Sequence, residues 1–191
     1  MIPLRSLLSG PVVTAARGLL GRLLVSDVGG VRTAVILTEV EAYGGVDDEA
    51  SHAHRGRSMR NASMFGAPGT LYVYRSYGVH WCANVVCGPT GTPSAVLVRG
   101  GEAHSGIVEM ERRRARVDHL CDGPGKLAQA LGITGELDGS SILDGVIRVE
   151  GPSGVGKIRS SPRVGITRAT SLPWRFVLVR KRMGPVDNPR A

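Results

Sequence analysis

Aromatic residues are scarce in this chain of 191 residues, which has two Trp, four Tyr and two Phe. Most of them fall between residues 38 and 84, at Tyr43, Phe65, Tyr72, Tyr74, Tyr77 and Trp81. The same stretch is rich in acids, histidines and arginines, among them Glu39, Glu41, Asp47, Asp48, Glu49, His52, His54, His80, Arg55, Arg57, Arg60 and Arg75. Rings placed beside polar groups suit a site that stacks a flat ring and performs polar chemistry on it.

Lysine is absent before Lys126. A lysine nucleophile that forms a Schiff base is therefore excluded from this stretch, and a carboxylate that activates water is the chemistry left. Arginine supplies most of the 24 basic residues, which outnumber the 16 acids and give a net charge of +8. An arginine-rich, basic chain indicates a phosphate-bearing partner, or a basic protein whose charge serves solubility.

Cysteine is also sparse, and Cys82, Cys87 and Cys121 form no CxxC motif. Three thiols without such a motif indicate reduced cysteines in a cytosol rather than a disulfide framework. No apolar run reaches the roughly 18 residues of a membrane helix, and the N-terminal apolar segment is short for a signal peptide. We therefore expect a cytoplasmic protein, at the nucleoid in a bacterium, with no membrane partner.

The length fits one domain, predicted over 1–184, with a flexible tail at 185–191. Apolar periodicity and glycine or proline boundaries predict helices at 11–20, 107–117 and 123–132. The β-rich runs predict strands at 23–28, 31–43, 70–76, 79–87 and 94–99, and near 146–150, 163–167 and 175–180. Residues 44–68 are rich in Gly, Ser and charge, and we expect a long functional surface loop there.

Glu41 and Tyr43 end a predicted strand and lie two residues apart, so their side chains share a face. A carboxylate that leaves a strand beside an aromatic ring is a candidate general base; the alternative is a salt-bridged glutamate at a strand end. Tyr72 and Tyr74 also share a face, either as core residues or as stacking rings.

Tyr77 precedes Gly78 at a predicted hairpin tip, where little core is available to bury a ring. An aromatic there can act as a wedge between base pairs. Arg57, Arg60 and Arg75 are placed to hold phosphates on either side. Together these parts would extrude one base from a duplex and stack it between rings, as base-modifying enzymes do.

A metal site is a competing interpretation of the loop. Asp48, His52 and His54 offer carboxylate and imidazole groups, which suit Zn or Fe in a metal-dependent hydrolase. The acids are clustered, however, and no clear third-ligand motif follows. A histidine can also pack flat on a purine and hydrogen-bond to it.

Several segments resemble the alkyladenine (3-methyladenine) DNA glycosylase family of mammalian type, which has bacterial members. They are TEVEAY at 38–43, DEASH at 48–52, RNASMF at 60–65, PGTLYVY at 68–74, YGVH at 77–80, LVR at 97–99 and GPGKL at 123–127. The resemblance runs in order through nearly the whole chain. It departs from the family at Arg75-Ser76, where apolar residues are frequent, and at Val79, where methionine is common.

The resemblance implies a role for each matching residue. Glu41 would be the general base that activates water against the anomeric carbon, with Arg99 near that water. Tyr77 would be the wedge, and Asn84 the pocket wall whose bulk disfavours the guanine 2-amino group. The residues that would form the base pocket are Tyr43, His52, Tyr74 and Asn84.

The resemblance also implies a fold and an activity. The expected fold is α+β: one domain with a curved, open-barrel-like antiparallel sheet, peripheral helices and a protruding hairpin that inserts into DNA. The expected activity is monofunctional, without metal or other cofactor, on double-stranded DNA. A monomer would release 3-methyladenine and, in some family members, 7-methylguanine, hypoxanthine or ethenoadenine, leaving an abasic site. The alternative is a non-catalytic module that binds damaged DNA.

Overall fold

The computed structural model describes residues 2–154 and 156–179. Its helices are α1 (Leu4–Leu8), α2 (Val12–Leu19), α3 (Ile107–Arg114) and α4 (Pro124–Ala130). Its strands are β1 (Leu23–Ser26), β2 (Thr33–Tyr43), β3 (Leu71–Ser76), β4 (His80–Cys87), β5 (Ser94–Ser105), β6 (Ile147–Glu150), β7 (Lys157–Ser161) and β8 (Arg175–Val179). Within this part of the chain they form one antiparallel sheet of eight strands, in which β3-β4-β5-β2-β1-β6 are consecutive neighbours and β7 and β8 branch from β2.

The sheet curls around β2, a long central strand. One edge of β2 pairs with β5, whereas the other pairs with β1 over residues 33–36 and with β8 over residues 39–41. The β2–β5 register shifts between Leu37 and Val40, and such bulges bend a strand and increase its twist. The last residues of β2 therefore lie where β5 and β8 meet, and Glu41 is opposite Leu97 and Arg175.

The hydrophobic core is built from the sheet together with helices α2 and α4. Leu19 of α2 and Leu127 of α4 are fully buried in the same cluster as Val35 and Val85 of the sheet. Burying one such leucine contributes roughly 2 kcal/mol. The α+β architecture with a curved antiparallel sheet and peripheral helices, expected from the family resemblance, is thus confirmed.

Most of the predicted elements are present, and Gly29 and Gly30 lie in the connection from β1 to β2. Both glycines have positive φ, at 68° and 74°. Strand β5 extends six residues beyond its predicted end, helix α3 stops at Arg114, and α1 was not predicted. The predicted tail, 185–191, and the end of the predicted domain lie outside the described residues.

The strand predicted near 163–167 is wrong. The strand of this region is β7, which forms a hairpin with β8, and residues 162–168 form a loop. Pro162 has no N–H to give to a ladder, and the Val164 N–H is donated to a side chain instead. Gly165 has a φ of +74°, which ends the extended backbone. No helix in the described part of the chain is long and apolar enough to cross a membrane.

Candidate active site

A cleft of about 900 Å³ opens between the loop after β2, the β3–β4 hairpin and the loop at 162–168. This volume is typical of a small-molecule or base-binding pocket. Its walls hold rings, arginines and a buried amide, including Tyr43, His52, Tyr72, Tyr74, Arg60, Arg75, Asn84 and Arg99. The structure therefore brings together most of the residues that the sequence nominated.

Glu41 lies directly behind the wall of this cleft, with no exposed surface. From the described residues, its carboxylate accepts three hydrogen bonds. The Tyr43 hydroxyl donates to Oε2 at 2.9 Å, Arg99 Nη1 donates to Oε2 at 3.3 Å, and the Val164 N–H donates to Oε1 at 2.7 Å. All three donors belong to residues that line the cleft, so only residues of the cleft wall separate the carboxylate from the cleft.

Arg99 is shared between two carboxylates at the end of β2. Its Nε donates to Glu39 Oε1 at 2.8 Å, and the same oxygen accepts a hydrogen bond from Arg175 Nε at 2.8 Å. Although burial opposes the charged form of Arg99, the charges of Glu41 and Glu39 raise its pKa above the ordinary value. Arg99 is therefore a fixed positive charge beside the buried Glu41.

The rings of the cleft form a packed group on one face of β3. Tyr72 and Tyr74 are stacked with centroids 5.6 Å apart, and the His52 ring stands edge-on to Tyr74 at 4.5 Å. His52 Nδ1 is hydrogen-bonded to the Tyr72 hydroxyl at 2.9 Å. Partial burial, and then the nearby charge of Arg60, lower the pKa of His52, which favours the neutral imidazole at pH 7.

Burial keeps the hydroxyls of the cleft tyrosines Tyr43, Tyr72 and Tyr74 protonated. Burial, followed by the charge and hydrogen bond of Glu41, raises the pKa of Tyr43. Burial is also the main cause that raises the pKa of Tyr74. The rings of Tyr43 and Tyr74 are therefore neutral at pH 7.

Asn84 forms part of the cleft wall with a fixed amide. The side chain is buried, and its Nδ2 donates to the Tyr72 carbonyl at 3.1 Å across the β3–β4 ladder. A side chain tied in this way cannot swing aside easily, which suits a wall that limits the shape of a bound base.

Tyr77 stands at the tip of the β3–β4 hairpin with 92% of its surface exposed. Its φ is 48° and that of Gly78 is 69°, and the Val79 N–H donates to the Ser76 carbonyl at 3.0 Å. Two successive positive φ values describe a type I′ turn, which favours Asn or Gly over tyrosine at its first central position. A bulky residue held in this conformation at an exposed tip indicates a function rather than a packing role.

Arginines surround the mouth of the cleft. Arg60 lies 6.0 Å from the Tyr74 ring and donates to the Arg75 carbonyl at 3.4 Å. Arg75 lies over the Trp81 ring at 5.5 Å, and Arg57 over Phe65 at 5.7 Å. All three guanidinium-bearing side chains are exposed, but Arg57 does not line the cleft itself.

The arginines of α3 are mostly occupied by partners within the protein. Arg112 makes two hydrogen bonds of 2.7 Å to Glu109, and Arg113 donates to the Val28 and Ala130 carbonyls. Arg114 donates to Gln129. The geometry thus favours a structural use of this basic helix.

The structure does not assemble the metal site considered for the loop. The carboxylate of Asp48 is paired with Arg163, and His54 Nδ1 contacts the Val46 carbonyl at 2.8 Å. His52 is bonded to Tyr72. Over residues 2–154 and 156–179, no group of three or more His, Cys, Asp or Glu side chains is placed to hold a metal ion.

Sequence reasoning missed the contribution of the loop at 162–168. Arg163 is buried against Asp48 and Tyr43, and Val164 holds Glu41 through its backbone. These contacts join residues more than 110 positions apart, and no local pattern signals them. Asp48 was considered only as a metal ligand or a family motif, whereas it holds the loop by accepting hydrogen bonds from the Gly44 and Ala50 N–H groups.

A deep cleft with neutral rings, an arginine rim and a buried carboxylate fits an enzyme that acts on a planar base of a nucleic acid. Comparison with known families agrees with this class. The family model for methylpurine-DNA glycosylase matches residues 6–182.

Bacterial relatives are similar over most of their length. A protein of Frankia casuarinae is 48% identical over 195 residues, which cover 94% of this chain and 89% of the relative. One from Granulibacter bethesdensis is 48% identical over 87% of this chain and 79% of its own. One from Rubrobacter xylanophilus is 43% identical over 86% of this chain and 87% of the relative. All three carry the provisional name 3-methyladenine DNA glycosylase.

The chain therefore belongs to the methylpurine-DNA glycosylase family. It is a DNA glycosylase, a hydrolase of N-glycosyl bonds, and its macromolecular partner is DNA.

Proposed function

We propose that this protein is a monofunctional glycosylase that removes alkylated purines from duplex DNA by means of a water activated by Glu41. The observation that carries the proposal is the buried Glu41 carboxylate, whose donors Tyr43, Arg99 and Val164 all line the cleft. A fixed carboxylate behind a base-sized cleft is positioned to act as a general base.

The flipped base would stack between Tyr43 on one side and the Tyr74–His52 pair on the other. Alkylation at N3 or N7 makes a purine cationic, and a cationic ring is attracted to electron-rich aromatic faces by about 1–2 kcal/mol in a dry site. Because the His52 ring is neutral, it does not repel a cationic base. Asn84 limits the space for an exocyclic amino group, which supports preference for adenine-derived lesions such as 3-methyladenine, hypoxanthine and ethenoadenine over guanine.

Water would reach the carboxylate at the Arg99 contact, the longest of the three at 3.3 Å. A water inserted there accepts a hydrogen bond from Arg99 and donates one to Glu41 Oε2, which leaves a lone pair directed to the cleft. As the N-glycosyl bond breaks, its electron pair goes to the base, the water oxygen attacks the anomeric carbon, and one water proton passes to Glu41. A cationic alkylated purine then leaves as a neutral base, whereas hypoxanthine or ethenoadenine takes up a proton from solvent. The products are the free base and an abasic site, with the phosphodiester backbone intact.

The exposed arginines and Tyr77 would bring the base into the cleft. Arg57, Arg60 and Arg75 hold phosphates electrostatically, while Tyr77 fills the space that the base leaves in the stack. A single protein molecule supplies all the residues at the mouth of the cleft, so a monomer suffices.

The test uses duplexes that carry one hypoxanthine, one ethenoadenine or a stable analogue of 3-methyladenine, incubated with the protein in the presence of a chelator. We expect free base, identified by mass spectrometry, and a strand that breaks only after alkali. Salt-dependent binding without base release from any lesion would instead indicate a non-catalytic damage-binding module. Activity that the chelator abolishes would contradict a metal-free mechanism.

A further inference from the structure

Arg163 is a buried arginine that sits behind the candidate active site rather than in it. Its side chain has no exposed surface, and the Asp48 side chain is only 2% exposed. Nη1 donates to Asp48 Oδ2 at 2.5 Å, Nη2 donates to Asp48 Oδ1 at 2.8 Å, and Nη1 also donates to the Ala42 carbonyl at 2.9 Å. Burying an ion pair is costly unless its geometry is good, and a role in the function of the site would explain why this pair is buried.

The guanidinium of Arg163 packs against two aromatic rings. It is 4.7 Å from the centroid of Tyr43 and 5.5 Å from that of Trp174. Tyr43 lines the cleft, whereas Arg163 does not, so the guanidinium supports Tyr43 from behind. A planar guanidinium stacks on aromatic faces in a way that a lysine ammonium cannot reproduce.

The position of Arg163 also affects the Glu41 carboxylate. The next residue, Val164, donates its N–H to Glu41 Oε1, while the carbonyl that Arg163 holds belongs to Ala42, between Glu41 and Tyr43. One side chain thus fixes both the loop that orients the carboxylate and the strand end that carries the carboxylate and the ring. The Nε of Arg163 is buried without a hydrogen-bond partner among the described residues, which shows that stacking and the two terminal nitrogens determine its placement.

We propose that Arg163 is a positioning residue that aligns the Tyr43 ring for stacking and the Glu41 carboxylate for water activation. This inference rests on the proposed function. It assigns to Arg163, Asp48 and Trp174 a role in base capture and in chemistry, although none of the three would touch the substrate.

The test compares Arg163→Lys with a matched control, Arg22→Lys. Arg22 is also buried and donates to the Gly18 and Gly151 carbonyls, but it lies outside the cleft. For each protein, three quantities are measured below its unfolding temperature. They are the single-turnover rate of base release, the quenching of ethenoadenine fluorescence in the DNA complex, and the affinity for undamaged duplex.

For Arg163→Lys we expect a 10- to 100-fold lower rate, because a displacement of about 1 Å at a reacting group can cost about 100-fold. We also expect weaker quenching of ethenoadenine, because Tyr43 loses its support, with unchanged affinity for undamaged DNA. Arg22→Lys should lose stability but keep the parent rate and quenching. If Arg163→Lys does not fold, Trp174→Leu removes the second ring that contacts the guanidinium while keeping the ion pair with Asp48. It should show the same pattern with smaller changes.

Parent rates and quenching in a folded Arg163→Lys protein would overturn the proposal. So would losses in Arg163→Lys that match those of Arg22→Lys, since both would then reflect stability alone. Failure of the proposed function has a different signature: the wild type would release no base from any lesion. The quenching comparison would still decide whether Arg163 aligns Tyr43.

Discussion

Replacing Tyr77 by asparagine should make the protein more stable and less able to capture a damaged base. Tyr77 has a φ of 48° and is 92% exposed, so the substitution removes almost no packing. A residue with a side chain costs about 1–2 kcal/mol in this left-handed conformation, which asparagine adopts more readily. We expect a gain of about 1 kcal/mol in the free energy of unfolding, or about 2–4 °C in Tm for a domain of this size.

The same substitution should weaken lesion recognition. Without the ring, nothing at the hairpin tip fills the gap in the base stack, and unstacking one step costs a few kcal/mol. We expect at least about a 10-fold loss of affinity for ethenoadenine duplex, with less fluorescence quenching, while affinity for undamaged duplex changes little.

Ala115→Asn is the matched control for both effects. Ala115 also has a positive φ, of 51°, at the end of α3 and outside the cleft. It should raise Tm similarly and leave lesion binding unchanged. An unaltered Tm in Tyr77→Asn would refute the argument from backbone strain, and unaltered lesion affinity would remove the wedge role.

Three further predictions concern stability, thiol reactivity and DNA affinity. Although burial favours its neutral form, Arg163 and backbone N–H groups hold the pKa of Asp48 below its ordinary value. The ionised Asp48 therefore contributes to the free energy of unfolding above about pH 4, and this contribution is lost as the pH falls. Asp48→Asn should lower the free energy of unfolding at pH 7 by about 3–5 kcal/mol in urea titrations. It should also make the loss of stability at acid pH less steep. Burial raises the pKa of Cys87 and of Cys121 to about 11, so iodoacetamide at pH 7 should label them only on unfolding, and rapid labelling of native protein would contradict this. Arg60→Gln should reduce the salt dependence of DNA binding by about one phosphate contact for damaged and undamaged duplexes alike; a loss confined to damaged duplex would place Arg60 on the base instead.

Helices and strands with a clear pattern of apolar residues over a short stretch of the chain could be predicted from the sequence. The helix at 11–20 and the strands that carry Glu41 and Tyr74 follow from apolar periodicity and from glycine boundaries. The shared faces of Glu41 with Tyr43, and of Tyr72 with Tyr74, follow from the period of a strand, and the structure shows both pairs in contact.

The rest depends on contacts between distant parts of the chain. The apolar residues near Arg163 resemble a strand, but the buried ion pair with Asp48 and the hydrogen bond from Val164 to Glu41 hold a loop there. The metal hypothesis failed for the same reason, because Asp48 already has a partner that lies 115 residues away. Nor does local sequence show that Glu41 lies behind the cleft wall, which depends on how β2, β5 and the loop converge.

The most direct test of the account is the single-turnover rate of base release by Glu41→Gln beside the wild type, on a hypoxanthine or ethenoadenine duplex. Glutamine keeps the shape of the side chain but cannot take the proton from water. A general base contributes about 100- to 10,000-fold, so we predict a loss in that range, with lesion affinity and fluorescence quenching close to those of the wild type. Base release by the folded variant at the parent rate would contradict the assignment of Glu41 as the general base.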